Sequence, residues 1–344
     1  MSKSKIAGIV LSLSLIVIML GLIITNLNKQ IYTIKFKNTI IENKVREIIN
    51  KPEGDISASD ISKVKVLNLN DKKISDISDL KNLTNLKDLY LNNNEIEDIN
   101  SLKNLTGLTE LYLSNNQVSD ISALENLKNL KYLCLNSNQI SDISVLVKLK
   151  NLKDLYLNSN LISDISSLKK LTNLNYLYLS SNQISDVSAL RNLYKLKVVY
   201  LNNNEISDIY TLKSLNELAI LDLSNNRINN ISSVQKLTDL IELYIGGTQI
   251  DNDDMYVLNS LTKLETLDLS HTEISYLDPL KDLRELDSVD LSYTPIDDLS
   301  VFEECKFLSE IKLINTPNIT QKQINELMKS QPSKSIIQDN VLKQ

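Results

Sequence analysis

The sequence predicts an α/β solenoid. Short leucine-rich coils stack on one another, with a parallel β-sheet along the concave side and short 3₁₀ or irregular turns along the convex side. A helical cap closes the N-terminus and a short helical cap the C-terminus. Two observations predict this. A pattern of leucine, isoleucine and asparagine recurs every 22 residues over most of a 344-residue chain. Coils of that size cannot bury an apolar face alone but can do so by stacking, which is also a way to grow past the usual size of one domain. Within each period, one short stretch alternates apolar and polar residues, as a half-buried strand requires.

The first element stands apart from the repeats. A basic lead, Met1-Ser-Lys-Ser-Lys5, precedes an uncharged apolar run of 20 residues from Ile6 to Thr25. As a helix that run would be about 30 Å long, the thickness of a hydrocarbon core. Its exit, Leu22-Ile-Ile-Thr-Asn26, offers no small-residue cleavage site. An uncleaved transmembrane anchor over residues 1–25 is therefore favoured over a cleaved signal peptide. The expectation is a solenoid held outside the cell by this anchor, or secreted if the segment is removed. Residues 26–35 read as a linker.

The N-terminal cap follows over residues 36–62. Phe36, Ile40, Ile41, Val45, Ile48 and Ile49 recur at helical spacing, Lys51-Pro-Glu-Gly54 stops the helix, and Ser57-Ala-Ser-Asp60 has the form of a capping box.

Twelve repeats are expected over residues 63–317. Leu86-Lys-Asp-Leu-Tyr-Leu-Asn-Asn-Asn94 is matched by Leu108-Thr-Glu-Leu-Tyr-Leu-Ser-Asn-Asn116, and the frame runs on through Asn138, Asn160, Asn182, Asn204 and Asn226. It continues at Thr248 and, after a two-residue insertion within Asp251-Asn-Asp-Asp254, at Thr272, Thr294 and Thr316; the first unit ends at Lys72. Leu89 and Leu91 point inward, joined by Leu86, Ile96, Ile99, Leu102 and Leu105 around the coil. Asn94 and its equivalents can both donate and accept where the chain leaves the strand, and so suit backbone groups of adjacent coils; threonine does the same with shorter reach. The recurring Asp-Ile-Ser, as at Asp142 and Asp164, suits a capped turn or 3₁₀ segment rather than acidic chemistry. The sequons at Asn82, Asn104, Asn230 and Asn318 largely belong to the repeat and carry no glycosylation reading. Over residues 318–344 a cap and tail are expected, with a helix from Thr320 to about Lys329 laying Ile324, Leu327 and Met328 on the last coil.

The frame LxxLxLxxNxIxDIxxL, complete from Leu86 to Leu102, together with the helical lead-in and Lys51-Pro-Glu-Gly-Asp-Ile56, resembles that of the internalin-type leucine-rich-repeat proteins of bacterial surfaces. The resemblance spans Phe36 to Thr316. It implies a right-handed curved solenoid whose concave sheet grips a protein partner. The frame is also similar to that of eukaryotic phosphatase-regulating proteins with 22-residue repeats. That similarity implies the alternative of an intracellular regulatory or scaffolding subunit, which has no use for the run Ile6 to Thr25.

Strand alternation selects the side chains that face out of the concave sheet. The candidate partner-binding residues are Tyr90, Tyr112, Tyr132, Tyr156, Tyr176, Tyr178, Tyr200, Ile220, Asp222, Tyr244, Asp268 and Asp290. Eight of the 14 tyrosines fall on this surface, where exposed aromatics with a hydroxyl are typical interface anchors. The concave columns also carry eight carboxylates against one base, Lys312, within a formal net charge of −6. This favours a protein partner with a basic surface, a glycan remaining the alternative ligand, and argues against nucleic acid. The same columns place Cys134 on the concave face in a tyrosine's position and Cys305 at an inward one. Two cysteines and one histidine, His271, give no zinc spacing and no disulfide framework. Asp268 and Asp290 lie on neighbouring strands at a spacing that glycosidases also use, but any adjacent pair in a parallel sheet shares it. No enzyme, cofactor or metal is expected.

Overall fold

The computed structural model describes residues 17–21, 33–303, 305–330 and 335–338. After a two-residue strand β1 (Thr33–Ile34), helix α1 (Thr39–Ile49) begins at Asn38, whose side chain accepts from the backbone of Ile40 and Ile41. It ends at Asn50, a left-handed residue with φ 52°. Strand β2 (Ile56–Ser57) pairs antiparallel with β1, and the short helix α2 (Ala58–Ile61) opens on a complete capping box between Ser57 and Asp60. Ile41 and Val45 are buried against the first coil, while Ile40 and Ile48 lie exposed on the outer side of α1. The cap is fastened by Asp79, a buried carboxylate that accepts the backbone N–H of Lys37 at 2.7 Å and of Asn38 at 2.8 Å.

Twelve coils follow, each beginning with a strand: β3 (Val66–Asn68), β4 (Asp88–Tyr90), β5 (Glu110–Tyr112), β6 (Tyr132–Cys134), β7 (Asp154–Tyr156), β8 (Tyr176–Tyr178), β9 (Val198–Tyr200), β10 (Ile220–Asp222), β11 (Glu242–Tyr244), β12 (Thr266–Asp268), β13 (Ser288–Asp290) and β14 (Glu310–Leu313). With β15 (Ser335–Gln338) they form, among the described residues, one 13-stranded parallel sheet in strictly sequential order. Register steps by one repeat at a time, so Leu89 pairs with Leu67 and Leu111. The pleat sends these leucines inward, and each coil buries its apolar set almost completely, as Leu86, Leu89, Leu91, Ile96, Ile99, Leu102 and Leu105 do in the second. A fully buried leucine of this kind contributes about 1.5–3 kcal/mol, and no coil gains it without a neighbour on each side.

The chain leaves each strand through a left-handed residue, as at Asn93, Asn115, Ser137, Ser159, Ser181, Asn203 and Asn225. The following asparagine staples two coils. Asn94 accepts from Lys72 N and Ile74 N through Oδ1, and donates through Nδ2 to Leu69 O of the previous coil and Leu91 O of its own. At Thr248, Thr272, Thr294 and Thr316 the hydroxyl donates to a carbonyl three residues back in the same coil. On the convex side, Asp142 and Asp164 accept the backbone N–H of Ser144 and Ser166, each at 2.7 Å, at the start of 3₁₀ turns. These bonds hold both carboxyls below their ordinary range.

Three expectations are corrected. The first is the membrane anchor over Ile6 to Thr25, and with it a solenoid held outside the cell by that anchor or secreted after its removal. Among the described residues no helix is long and apolar enough to cross a membrane. The described part of the run, residues 17–21, is helical with exposed side chains; it rises only about 7.5 Å, and the remainder of the run lies outside the described residues. At the other end, helix α3 (Gln321–Ser330) buries Ile324 and Leu327 but leaves Met328 exposed, because only one stripe of a single helix meets the last coil. Strand β15 was not expected: it extends the ladder by pairing Ile336 with Ile311.

Candidate partner-binding surface

The central concave column forms a ladder of stacked phenol rings. Ring centroids lie 4.5 Å apart for Tyr90–Tyr112, 4.4 Å for Tyr156–Tyr178 and 5.0 Å for Tyr178–Tyr200. The spacing follows from the sheet, whose strands are about 4.8 Å apart, so equivalent side chains on consecutive strands fall into van der Waals contact. At Cys134 the column lacks a ring. Tyr132, expected in the flanking column, swings across to fill the gap, 4.5 Å from Tyr112 and 5.0 Å from Tyr156. Cys134 is thereby covered, with its Sγ 2.9 Å from Ser114 Oγ, rather than presented on the surface as the column assignment predicted. Six rings on β4 to β9 thus make one continuous ladder. Burial within it pushes the Tyr132, Tyr156, Tyr178 and Tyr200 phenols above their ordinary value.

Beyond Tyr200 the column turns acidic. Asp222, Asp268 and Asp290 each accept the backbone N–H two residues on, from Ser224, Ser270 and Ser292. Burial raises the Asp222 and Asp268 carboxyls, and each has a further carboxylate nearby that adds to the effect. Asp290 lies 3.8 Å from Lys312 Nζ. Tyr244 stands among these acids, its hydroxyl donating to Glu242 Oε2 at 2.8 Å. Gly246 makes room for Asp268: a Cβ there would fall within 2.9 Å of both its carboxylate oxygens.

The structure therefore brings Tyr90, Tyr112, Tyr132, Tyr156, Tyr178 and Tyr200 into one stack. Tyr176 stays outside it as an exposed flank, Ile220 is half-buried between Val198 and Glu242, and Asp222, Tyr244, Asp268 and Asp290 form the acidic continuation. Sequence reading missed a second contact. His271 and Tyr293 occupy the left-handed corner held elsewhere by Asp, Asn, Ser or Gly, with φ of 55° and 60°, and their rings stack at 4.1 Å. The signal was visible as two bulky residues in a column of small ones. The surface itself is open. Grooves with some depth lie elsewhere, such as the one between convex turns lined by Ser75, Ser78, Glu95 and Glu97.

The sequence pattern of the family described as Leucine Rich repeats (2 copies) matches residues 62–104, 106–148, 128–170, 150–192, 172–214 and 262–304. A solved internalin (inlF) of Listeria monocytogenes is 32% identical, with a TM-score of 0.83 over 88% of this chain and 88% of that one. Internalin C2 (inlC2) of the same organism is 36% identical, with a TM-score of 0.59 over 62% of this chain and 94% of its own. The plant peptide hormone receptor RGFR1, solved in complex with RGF2, is 22% identical with a TM-score of 0.60 over 71% of this chain and 44% of its own; it shares the fold alone. No curated protein sequence matches the chain.

Proposed function

Because the chain belongs to the internalin-type leucine-rich-repeat proteins, we propose that it is a non-catalytic recognition protein that grips a protein partner, one with a basic surface, on its concave face. The observation that carries this reading is the unbroken tyrosine ladder running into a series of carboxylates that outnumber the one base beside them, Lys312, on one open surface. Rigid aromatics with a polar tip are efficient anchors, since little conformational freedom remains to be lost on binding. Stacking along the ladder covers the ring faces and turns edges and hydroxyls outward. That arrangement suits the hydrogen-bonding groups of a protein better than the apolar face of a sugar. An open surface also suits a macromolecule better than a small molecule, which needs a concave pocket. On the same fold, the plant receptor RGFR1 is found in complex with RGF2.

The test uses three folded variants and a partner captured by the unaltered chain. Replacing Tyr156, Tyr178 and Tyr200 by Ala should weaken binding by about 2 kcal/mol or more. Replacing Asp222, Asp268 and Asp290 by Asn should mainly slow association and flatten its salt dependence. The control replaces Asp142, Asp164 and Asp186 on the convex side by Asn. Asparagine serves in this turn already, since Asn230 Oδ1 accepts from Ser232 N, so the control should fold and bind normally. Loss of binding in the control with none in the tyrosine variant would assign the working surface to the convex side.

A further inference from the structure

The tyrosine ladder stops at Tyr200 and a single ring reappears two strands later, at Tyr244. Between them, on β10, the column carries the short side chain of Asp222. Two sheet steps separate the ring-bearing positions by about 9.6 Å. A planar group in contact with both faces, at about 3.5 Å from each, needs about 7 Å. The break is therefore wide enough for one inserted plane.

Both walls are held in place. Tyr200 is backed by Tyr178 at 5.0 Å and 10° from parallel, and Tyr244 is held by its bond to Glu242. The floor is Ile220 and Asp222, both half-buried, and the Glu242 carboxylate stands at the rim. Asp222 uses Oδ1 to accept from Ser224 N at 3.0 Å, which orients the carboxylate. Aromatic faces attract cations, and a guanidinium is flat, permanently charged and able to donate to two carboxylates at once. Its aliphatic stem would lie on Ile220. An ammonium has the charge but not the plane.

We propose that the break between Tyr200 and Tyr244 is an arginine slot, in which the protein partner's arginine stacks between the two rings and donates to Asp222 and Glu242. This rests on the reading of the concave face as the gripping surface and names the chemistry at its centre.

The test titrates N-acetyl-arginine N-methylamide into the full chain while the tyrosine ring resonances are followed by NMR. The rings of Tyr200 and Tyr244 should shift and that of Tyr90 should not. The lysine analogue should bind more weakly, and the citrulline analogue, equal in shape but uncharged, should leave the rings unmoved. Asp222→Asn should weaken the arginine probe about tenfold, the worth of a charged hydrogen bond. Asp222→Tyr should abolish binding by completing the ladder with the residue that neighbouring strands carry, so folding is preserved. Equal shifts throughout the ladder, or unchanged binding in Asp222→Tyr, overturns the slot. The captured partner separates the two readings. If Tyr156→Ala and Tyr178→Ala weaken the partner while Asp222→Tyr and the arginine probe have no effect, the face stands and the slot falls. If Asp222→Tyr abolishes the probe and the partner ignores every concave variant, the cleft binds a guanidinium but not the partner's, so the gripping face falls and the assignment of the slot to the partner's arginine falls with it.

Discussion

At the scale of the residue, one position separates the two halves of the solenoid. Asn160 accepts from Ile140 N and donates to Leu135 O and Leu157 O, so a single buried amide serves two coils. Thr272 donates to Leu269 O at 2.6 Å and stays within its own coil. Asn160→Ala leaves several buried backbone groups without a partner and should cost about 3 kcal/mol, whereas Thr272→Val loses one neutral bond and should cost about 1 kcal/mol. Guanidinium denaturation of the two variants checks this, and equal losses would mean that the amide does not couple coils. The dual donor and acceptor character of asparagine was legible in the sequence, as was threonine's shorter reach. That the shorter reach removes the bond to the neighbouring coil was not, since it depends on tenths of an ångström. The same limit hid the swing of Tyr132 over Cys134: alternation assigns a face to a side chain, not the rotamer that fills a neighbour's gap.

At the scale of the element, the strands of the parallel sheet are three or four residues long, and alternation alone decides which side chains are core. Leu135, in the ladder just past β6, is fully buried, while Asn136 is half-exposed and accepts from Asn158 N at 2.8 Å. Leu135→Asp places an unpaired charge among leucines and should unfold several coils, a loss of about 4 kcal/mol or more. Asn136→Asp keeps the acceptor and should shift the melting temperature little. Comparable melting of both would put the strand register off by one. This much of the fold was legible because a 22-residue pattern leaves a single consistent register. The ends were less legible, because caps are written once. Helix α1 and the capping box of α2 were readable from their spacing. Strand β15 was not, since Ser-Ile-Ile-Gln carries its apolar pair side by side and matches no repeat position. The apolar run Ile6 to Thr25 gave a composition, and composition does not establish a span.

At the scale of the whole molecule, stability in a solenoid is a sum of coils and the interfaces between neighbours, so weak interfaces should open first. Coils closed by Asn94 through Asn226 carry an amide that reaches the preceding coil, as at Asn204 to Leu179 O. Coils closed by Thr248 to Thr316 do not, and they carry a two-residue insertion near Asp251. Two of their corners place His271 and Tyr293 in the left-handed region, where a side chain costs about 1–2 kcal/mol per residue; Ser137, Ser159 and Ser181 carry the same cost, so the difference between the halves rests on the asparagine amides. Helix α3 and β15 cover the far end, but they act on the last coil and not on the interfaces before it. The C-terminal coils should therefore open as a unit while the tyrosine-bearing coils stay closed. Native-state hydrogen exchange measures this directly. The amides of Leu269 and Leu291, bonded to Asp290 O and Lys312 O, should exchange about tenfold faster or more than those of Leu157 and Leu179, bonded to Tyr178 O and Tyr200 O. Thr272→Asn should narrow the difference by restoring the reach to the previous coil. Uniform protection along the sheet would show that the asparagine ladder contributes nothing to coupling. If the difference is found, the acidic end of the concave face is the part able to yield as a partner docks, and the stacked tyrosines are the part that holds its shape.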